Sequence, residues 1–253
     1  MVHARASVLA VLLTCLGLGV TGCGSGSPPA TVLDVHAAAS LTDTFTELAE
    51  QFEAQHPGVE VSLNFAGSSA LVQQLSAGAP ADVLATADER SMAGAVDAGL
   101  VDGEPEVFAT NVLTVVVPAD NPAGVGSLRD LADPGVQVVV CAPQVPCGAA
   151  AERVEETSGV RLSPVSEEGS VTGVLGKVVS GQADAGLVYV TDARSAGDAV
   201  EVVEVPRASR AVNRLSVAAL ADSDATEPAR QFLELVAGEP GREVLAGAGF
   251  GAP

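Results

Sequence analysis

Residues 32–58, VLDVHAAASLTDTFTELAEQFEAQHPG, decide how the rest of the chain is read. Val32-Leu33-Asp34-Val35-His36-Ala37 has the short, mainly apolar character of a strand. Leu41, Phe45, Leu48, Ala49 and Phe52 then recur at helical spacing, which predicts an amphipathic helix over about 41–55. His56-Pro57-Gly58 stops that helix, and His56 in the turn is expected to face solvent. Between strand and helix stands Ala37-Ala38-Ala39-Ser40, small residues with one hydroxyl.

The same unit of strand, small-residue junction and helix recurs outward from there. Val59 to Phe65 alternates as a strand, and Ala70 to Ala77 reads as a short helix with Leu71 and Leu75 inward. Asp82 to Ala87 is strand-like, and Met92, Val96 and Leu100 mark another helix. Val107 to Val117 (VFATNVLTVVV) is a long, nearly continuous apolar run, and Gly135 to Val140 is a buried strand by the same criterion. A helix follows Gly148; Val171, Val174, Leu175, Val178 and Val179 form a helical stripe. Ala185 to Val190, Val200 to Val205 and Arg214 to Leu220 are strands, and Glu227 to Ala246 is helical with a break at Pro240-Gly241. Strands alternating with single helices predict an α/β architecture with mostly parallel pairing, and they are too many for one small sheet.

Composition narrows the function classes. The chain has 253 residues, 47% apolar, with 12 Lys plus Arg against 32 Asp plus Glu, a formal charge of −20. The apolar fraction excludes a disordered chain. The charge argues against nucleic acid as a partner, because phosphate backbones need a basic surface. With no Trp, one Tyr (Tyr189) and 3% aromatics, the composition argues against base-stacking platforms and aromatic sugar clamps as well.

The N-terminus reads as an address. A basic start is followed by an apolar core of signal-peptide length, and Val20-Thr21-Gly22-Cys23 resembles the bacterial lipobox, whose Cys is acylated. Residues 1–22 are thus expected to be a lipoprotein signal peptide, Cys23 the lipidation site, and 23–31, with its Gly, Ser and Pro, a flexible tether. In an exported chain, Cys141 and Cys147 can form a disulfide closing a small loop; two free thiols are the alternative.

Several catalytic patterns are missing. There is no G-x-x-x-x-G-K-[ST], no H-E-x-x-H, no zinc-type Cys/His spacing, and Gly169-Ser170-Val171-Thr172-Gly173 has Val where a nucleophile elbow needs Ser. An enzyme is not expected. What the chain does have is four junctions of small or hydroxyl residues before helices: Ala37 to Ser40, Phe65 to Ser69, Val145 to Gly148 and Glu168 to Val171. Helix N-termini carry unpartnered N–H groups and the positive end of the helix dipole, and they bind anions. For any one Ser, plain capping is the competing reading; Ser40 with Asp43 has the look of a capping pair.

Taken together, four stretches match a known family. Ala37-Ala38-Ala39-Ser40-Leu41-Thr42-Asp43, Phe65-Ala66-Gly67-Ser68-Ser69, Gly78 to Asp88 (GAPADVLATAD) and Leu187-Val188-Tyr189-Val190-Thr191-Asp192-Ala193 resemble the periplasmic molybdate-binding proteins of ABC importers, in the same order over about 32–250. The resemblance implies a two-lobe periplasmic-binding-protein type II fold with two crossover strands. Lobe I would take 32–110 and 212–253, lobe II 111–206, with crossings near Thr110 to Leu113 and Ser209 to Asn213. It implies that Ser40, Ser68, Cys147, Val171 and Tyr189 hold the molybdenum centre as its oxyanion: hydroxyl and backbone hydrogen bonds from Ser40 and Ser68, the phenol of Tyr189, and backbone N–H groups from Cys147 and Val171. Cys147 departs from the family, where Ala is frequent, but a backbone donor tolerates that change.

The implied function is capture of molybdate or tungstate and delivery to an ABC permease and its ATPase subunit. The protein would be a monomer, without cofactor, on the outer face of the cytoplasmic membrane and held there only by its lipid. The residue types fit: a fully deprotonated oxyanion offers only acceptors, and none of the four junctions holds Arg or Lys. Only Glu168 offers a carboxylate there, and the motif does not point it inward, so protonated phosphate would leave a donor facing donors. Rival readings are a binding protein for sulfate or another small oxyanion, a non-transport anion sensor, and a hydrolase using His36 or His56.

Overall fold

The computed structural model describes residues 30–205 and 211–253. The expected signal peptide, Cys23 and nearly all of the tether lie outside the described residues, as does part of the second expected crossing. Thr31, expected to end the tether, is the first residue of a strand.

Two five-stranded sheets form the centres of two lobes. The first is built from β1 (Thr31–Ala38), β2 (Val59–Ala66), β3 (Val83–Thr86), β4 (Val101–Asn111) and β10 (Asn213–Leu220), in the spatial order β2-β1-β3-β10-β4. Helices α1 (Thr42–Gln55), α2 (Ser68–Ser76), α3 (Glu89–Asp97), α7 (Thr226–Ala237) and α8 (Glu239–Ala248) cover it. The second sheet has β5 (Leu113–Pro118), β6 (Val138–Cys141), β7 (Ser166–Glu168), β8 (Ala185–Tyr189) and β9 (Val200–Val203), ordered β7-β6-β8-β5-β9. Helices α4 (Pro146–Ser158), α5 (Val171–Val179) and α6 (Val190–Ala196) belong to it.

The pairing is evenly mixed, which corrects the expectation of mostly parallel sheets. β1–β2, β1–β3, β6–β7 and β6–β8 are parallel; β10–β3, β10–β4, β5–β8 and β5–β9 are antiparallel. The reason is the crossing of the chain. β1, β3, β6 and β8 run toward the gap between the lobes, whereas β5 and β10 start at that gap and run away from it. The long apolar run 107–117 accordingly divides at Val112, between β4 of one sheet and β5 of the other. Asn111 makes the joint: its Nδ2 donates to Thr191 Oγ1 at 2.8 Å, and its Oδ1 accepts from Val112 N–H at 3.0 Å.

The two cores differ in material. All six Phe lie in or against the core of the first lobe, where Phe45, Phe52 and Phe232 meet edge-on at 5.4–6.0 Å. His56 stacks on Phe52 at 4.0 Å and bonds the Phe52 carbonyl through Nδ1 at 2.8 Å, so it is half-buried and not simply solvent-facing. The second core is Val, Leu and Ala, with Tyr189 its one aromatic. Helix α2 begins at Ser68, ahead of the expected Ala70, and the C-terminal helical segment breaks at Gly238, with Pro240 in the first turn of α8.

Candidate functional site

Parallel strands that end at one edge deliver their following loops to that edge, where α/β proteins bind ligands. Here two sheets do so from opposite sides. β1 runs into a 3-10 turn, Ala39–Leu41, and β2 into Gly67 and α2; from the other lobe, β7 runs into Gly169-Ser170 and α5, β6 into the loop before α4, and β8 into Tyr189. Ser40, Ser68, Cys147, Val171 and Tyr189 all line one small cavity of about 20 Å³ between the lobes. Its other walls are Ala38, Ala39, Gly67, Ala87, Val145, Pro146, Gly169 and Ser170, so among the described residues no charged side chain faces it.

The hydrogen bonds around the cavity give it a sense. No side chain caps the first turns at Ala38, Gly67 or Val145, so Ser40 does not act as a helix cap. Ser170 caps α5, accepting from Gly173 N–H at 3.4 Å, and leaves the N–H of Val171 uncapped. First-turn N–H groups such as those of Ser68, Cys147 and Val171 have no acceptor within their own helices. Ser40 Oγ is buried with no hydrogen-bond partner among the described residues. Ser68, 1% exposed, accepts on Oγ from Ala87 N–H at 3.0 Å, which leaves its own proton to be donated. Tyr189, 2% exposed, accepts on its phenol oxygen from Asn213 Nδ2 at 2.6 Å and is left in the same position.

The lobes are closed on each other over this cavity. Ser69 Oγ donates to Gln144 O at 2.8 Å, Arg90 to Pro143 O at 3.2 Å, and Ser195 Oγ to Asp43 Oδ2 at 2.5 Å. Gly67 lies so near Gly169 that a Cβ on it would sit 2.4 Å from the Gly169 carbonyl oxygen. A disulfide joins Cys141 and Cys147, with Cα atoms 5.6 Å apart, and ties the first turn of α4 to the end of β6. Just beyond, Gly148 is required: a Cβ there would fall 1.9 Å from Ala142 O.

Charges stand one layer back. Burial, with Asp192 and Asp88 nearby, holds the Tyr189 phenol well above its ordinary pKa, so it stays a neutral donor. Asp192 accepts from Tyr189 N–H at 2.9 Å, and burial pushes its carboxyl up to about 7. Glu168 turns its carboxylate to Lys177 and to Ser166, and those contacts hold its pKa below the usual range. A larger hollow of about 440 Å³ behind Ser40 is lined by Asp43, Asp192 and Arg194, a poorer setting for an anion. Neither His36 nor His56 lines the cavity.

Two residues to which the sequence gives no role in the site stand behind it: Asn213, at the end of the second expected crossing, and Arg153, with Lys177 the cation nearest to the four junctions. Asn213 donates to Tyr189, to Ala87 O at 3.1 Å and, at a longer 3.4 Å, to Pro146 O. Arg153, two turns into α4, reaches Asn213 Oδ1 with its guanidinium. The opening of a strand next to a crossing was the available signal for Asn213; Arg153 is marked only as a cation near a junction, with nothing local to show what it touches.

The model of the bacterial extracellular solute-binding protein family matches residues 33–251. The chain belongs to that family. Among solute-binding relatives, the molybdate-binding protein ModA of Mycobacterium tuberculosis H37Rv is 48% identical, over 93% of this chain and 94% of its own length. The periplasmic molybdate-binding protein of Azotobacter vinelandii superposes with a TM-score of 0.76 at 25% identity, over 87% of this chain and 99% of that one. The sulfate-binding protein SubI of Mycobacterium tuberculosis superposes almost as well, at a TM-score of 0.75 and 23% identity, over 87% of this chain and 86% of that one. That last likeness speaks for the two-lobe fold of solute-binding proteins alone.

Proposed function

We propose that this solute-binding protein captures molybdate or tungstate between its lobes and delivers it to an ABC permease with its ATPase subunit. The observation that carries the reading is a small cavity between the lobes at which two hydroxyls, those of Ser68 and Tyr189, are oriented to donate. Ser68 and Tyr189 already accept on their oxygens, and Ser40 Oγ has no other partner. Backbone N–H groups of Cys147 and Val171 complete the donors, and among the described residues nothing facing the cavity is a carboxylate. An ion with acceptors only, held by neutral dipoles away from water, matches that inventory. The two relatives named for molybdate support the choice of ion.

Binding is capture by closure: Ser40 and Ser68 come from lobe I, Cys147, Val171 and Tyr189 from lobe II, so the ion bridges the lobes and favours the closed form. Lobe I comprises 32–110 with 212–253 and lobe II 111–206, the crossings acting as hinges. The protein works outside the cytoplasm as a single clamshell anchored through Cys23, and it performs no catalysis. Tyr189 is the only Tyr in a Trp-free chain, so its fluorescence reports on the site directly. Molybdate and tungstate are expected to change it saturably and to compete with each other, with sulfate a weak competitor; a signal unmoved by both metal oxyanions counts against the reading. A cavity sized for sulfate is the second reading, favoured only by the shared fold.

A further inference from the structure

Asn213 is 2% exposed, opens β10 beside the crossing, and donates to the phenol oxygen of Tyr189. Its orientation is not free. The Arg153 guanidinium donates to Oδ1, and a guanidinium has no lone pair to offer, so the carbonyl end of the amide must face Arg153. The nitrogen end therefore faces Tyr189 and Ala87, where it finds the phenol oxygen at 2.6 Å and a carbonyl at 3.1 Å. An amide nitrogen has no lone pair for hydrogen bonding either. The phenol oxygen can only accept from it, and the phenolic proton must go elsewhere; Tyr189 lines the cavity. The longer contact to Pro146 O adds a second effect, because that carbonyl shares its peptide plane with the N–H of Cys147.

We propose that Asn213, locked by Arg153, is the positioning residue that fixes Tyr189 as a hydrogen-bond donor to the bound ion, and so makes the cavity prefer a fully deprotonated oxyanion to a protonated one. This rests on the oxyanion reading of the cleft. If the phenol could rotate, it would present an acceptor lone pair to hydrogen phosphate as readily as a proton to molybdate. With the amide locked, hydrogen phosphate meets the phenol as a donor only.

Asn213→Asp tests it with little change of size. The carboxylate keeps Arg153 as a partner but accepts the phenolic proton, turning the phenol's lone pair toward the cavity. Molybdate affinity, measured by calorimetry, is expected to fall by about tenfold or more, the scale of one hydrogen bond to a charged group. Affinity for hydrogen phosphate is expected to fall less, or to rise, so the ratio between the two ions narrows. The same substitution in a Tyr189→Phe background is expected to have a several-fold smaller effect, since the role runs through the phenol. Arg153→Met frees the amide without touching the cavity; it is expected to weaken molybdate binding when the phenol is present and far less in the Tyr189→Phe background, and it serves if Asn213→Asp does not fold. Equal losses in both backgrounds, or an unchanged ion ratio, would overturn the role of Asn213 while leaving the binding function intact. Wild-type protein that binds no molybdate would overturn both.

Discussion

At Tyr189 the chemistry of the site reduces to the direction of one proton, and the same holds at Ser68. Each oxygen already accepts an N–H bond, so each hydroxyl is left to donate. Replacing either serine should therefore cost binding: Ser40→Ala and Ser68→Ala are each expected to weaken molybdate by about 1–3 kcal/mol in calorimetry, the worth of a donor to a charged group. Ser68→Ala should also lower thermal stability, because it strands the Ala87 N–H, whereas Ser40→Ala should not, because Ser40 Oγ bonds nothing. Asp192 supplies a test in pH. Its folded pKa of about 7 lies above its ordinary value of 3.8, so between those values the folded chain holds a proton that the unfolded chain releases. Stability from Asp192 is fully present below the lower value and is lost as pH rises through the upper one. Asp192→Asn keeps an acceptor for Tyr189 N–H and is expected to flatten that decline in urea unfolding measured across this range. Ser40, Ser68 and Tyr189 were legible in the sequence because each sits in a local motif at a strand end. Asn213 and Arg153 were not, because their role exists only where β10 and α4 meet.

Among the elements, α4 is the one whose first turn depends on a covalent tie. The Cys141–Cys147 bridge closes a loop of six-residue separation around the N-terminus that presents Cys147 N–H. Chain-entropy arguments put such a tie at about 2 kcal/mol of stability. The double substitution Cys141→Ser, Cys147→Ser is expected to lower the melting temperature and to weaken molybdate more than any surface substitution, because the donor loses its fixed position; unchanged affinity would mean that α4 holds its first turn unaided. Periodicity exposed most elements, since α1 and α5 have clear apolar stripes. It failed where the cause was not periodic. β7 is Ser166-Glu167-Glu168, an edge strand too polar to register, and α6 follows Tyr189 without a break in apolar character. The mixed pairing was hidden because direction depends on the route of the chain between sheets, which no window of residues contains.

Across the whole molecule, the proposed function depends on two lobes meeting at a close approach that tolerates no side chain. Gly67→Ala would set a Cβ 2.4 Å from the Gly169 carbonyl oxygen. That variant is expected to fold and melt like the parent without ligand yet to bind molybdate at least about tenfold more weakly, since closure must yield by more than van der Waals contact allows; small-angle scattering would report a molecule that stays open when the ion is added. The charge of −20 works against long-range attraction of an anion, so affinity has to come from fixed short-range donors. Binding of that kind responds weakly to ionic strength, or improves as salt screens the acidic surface, whereas capture by a cationic side chain weakens steeply. Titration calorimetry of the wild-type protein with molybdate at low and at high salt tests this most directly. One ion per chain, bound as tightly or more tightly at high salt, with hydrogen phosphate giving no competing heat, is the predicted result; no binding heat, or an affinity that collapses with salt, would contradict a cavity built from neutral donors.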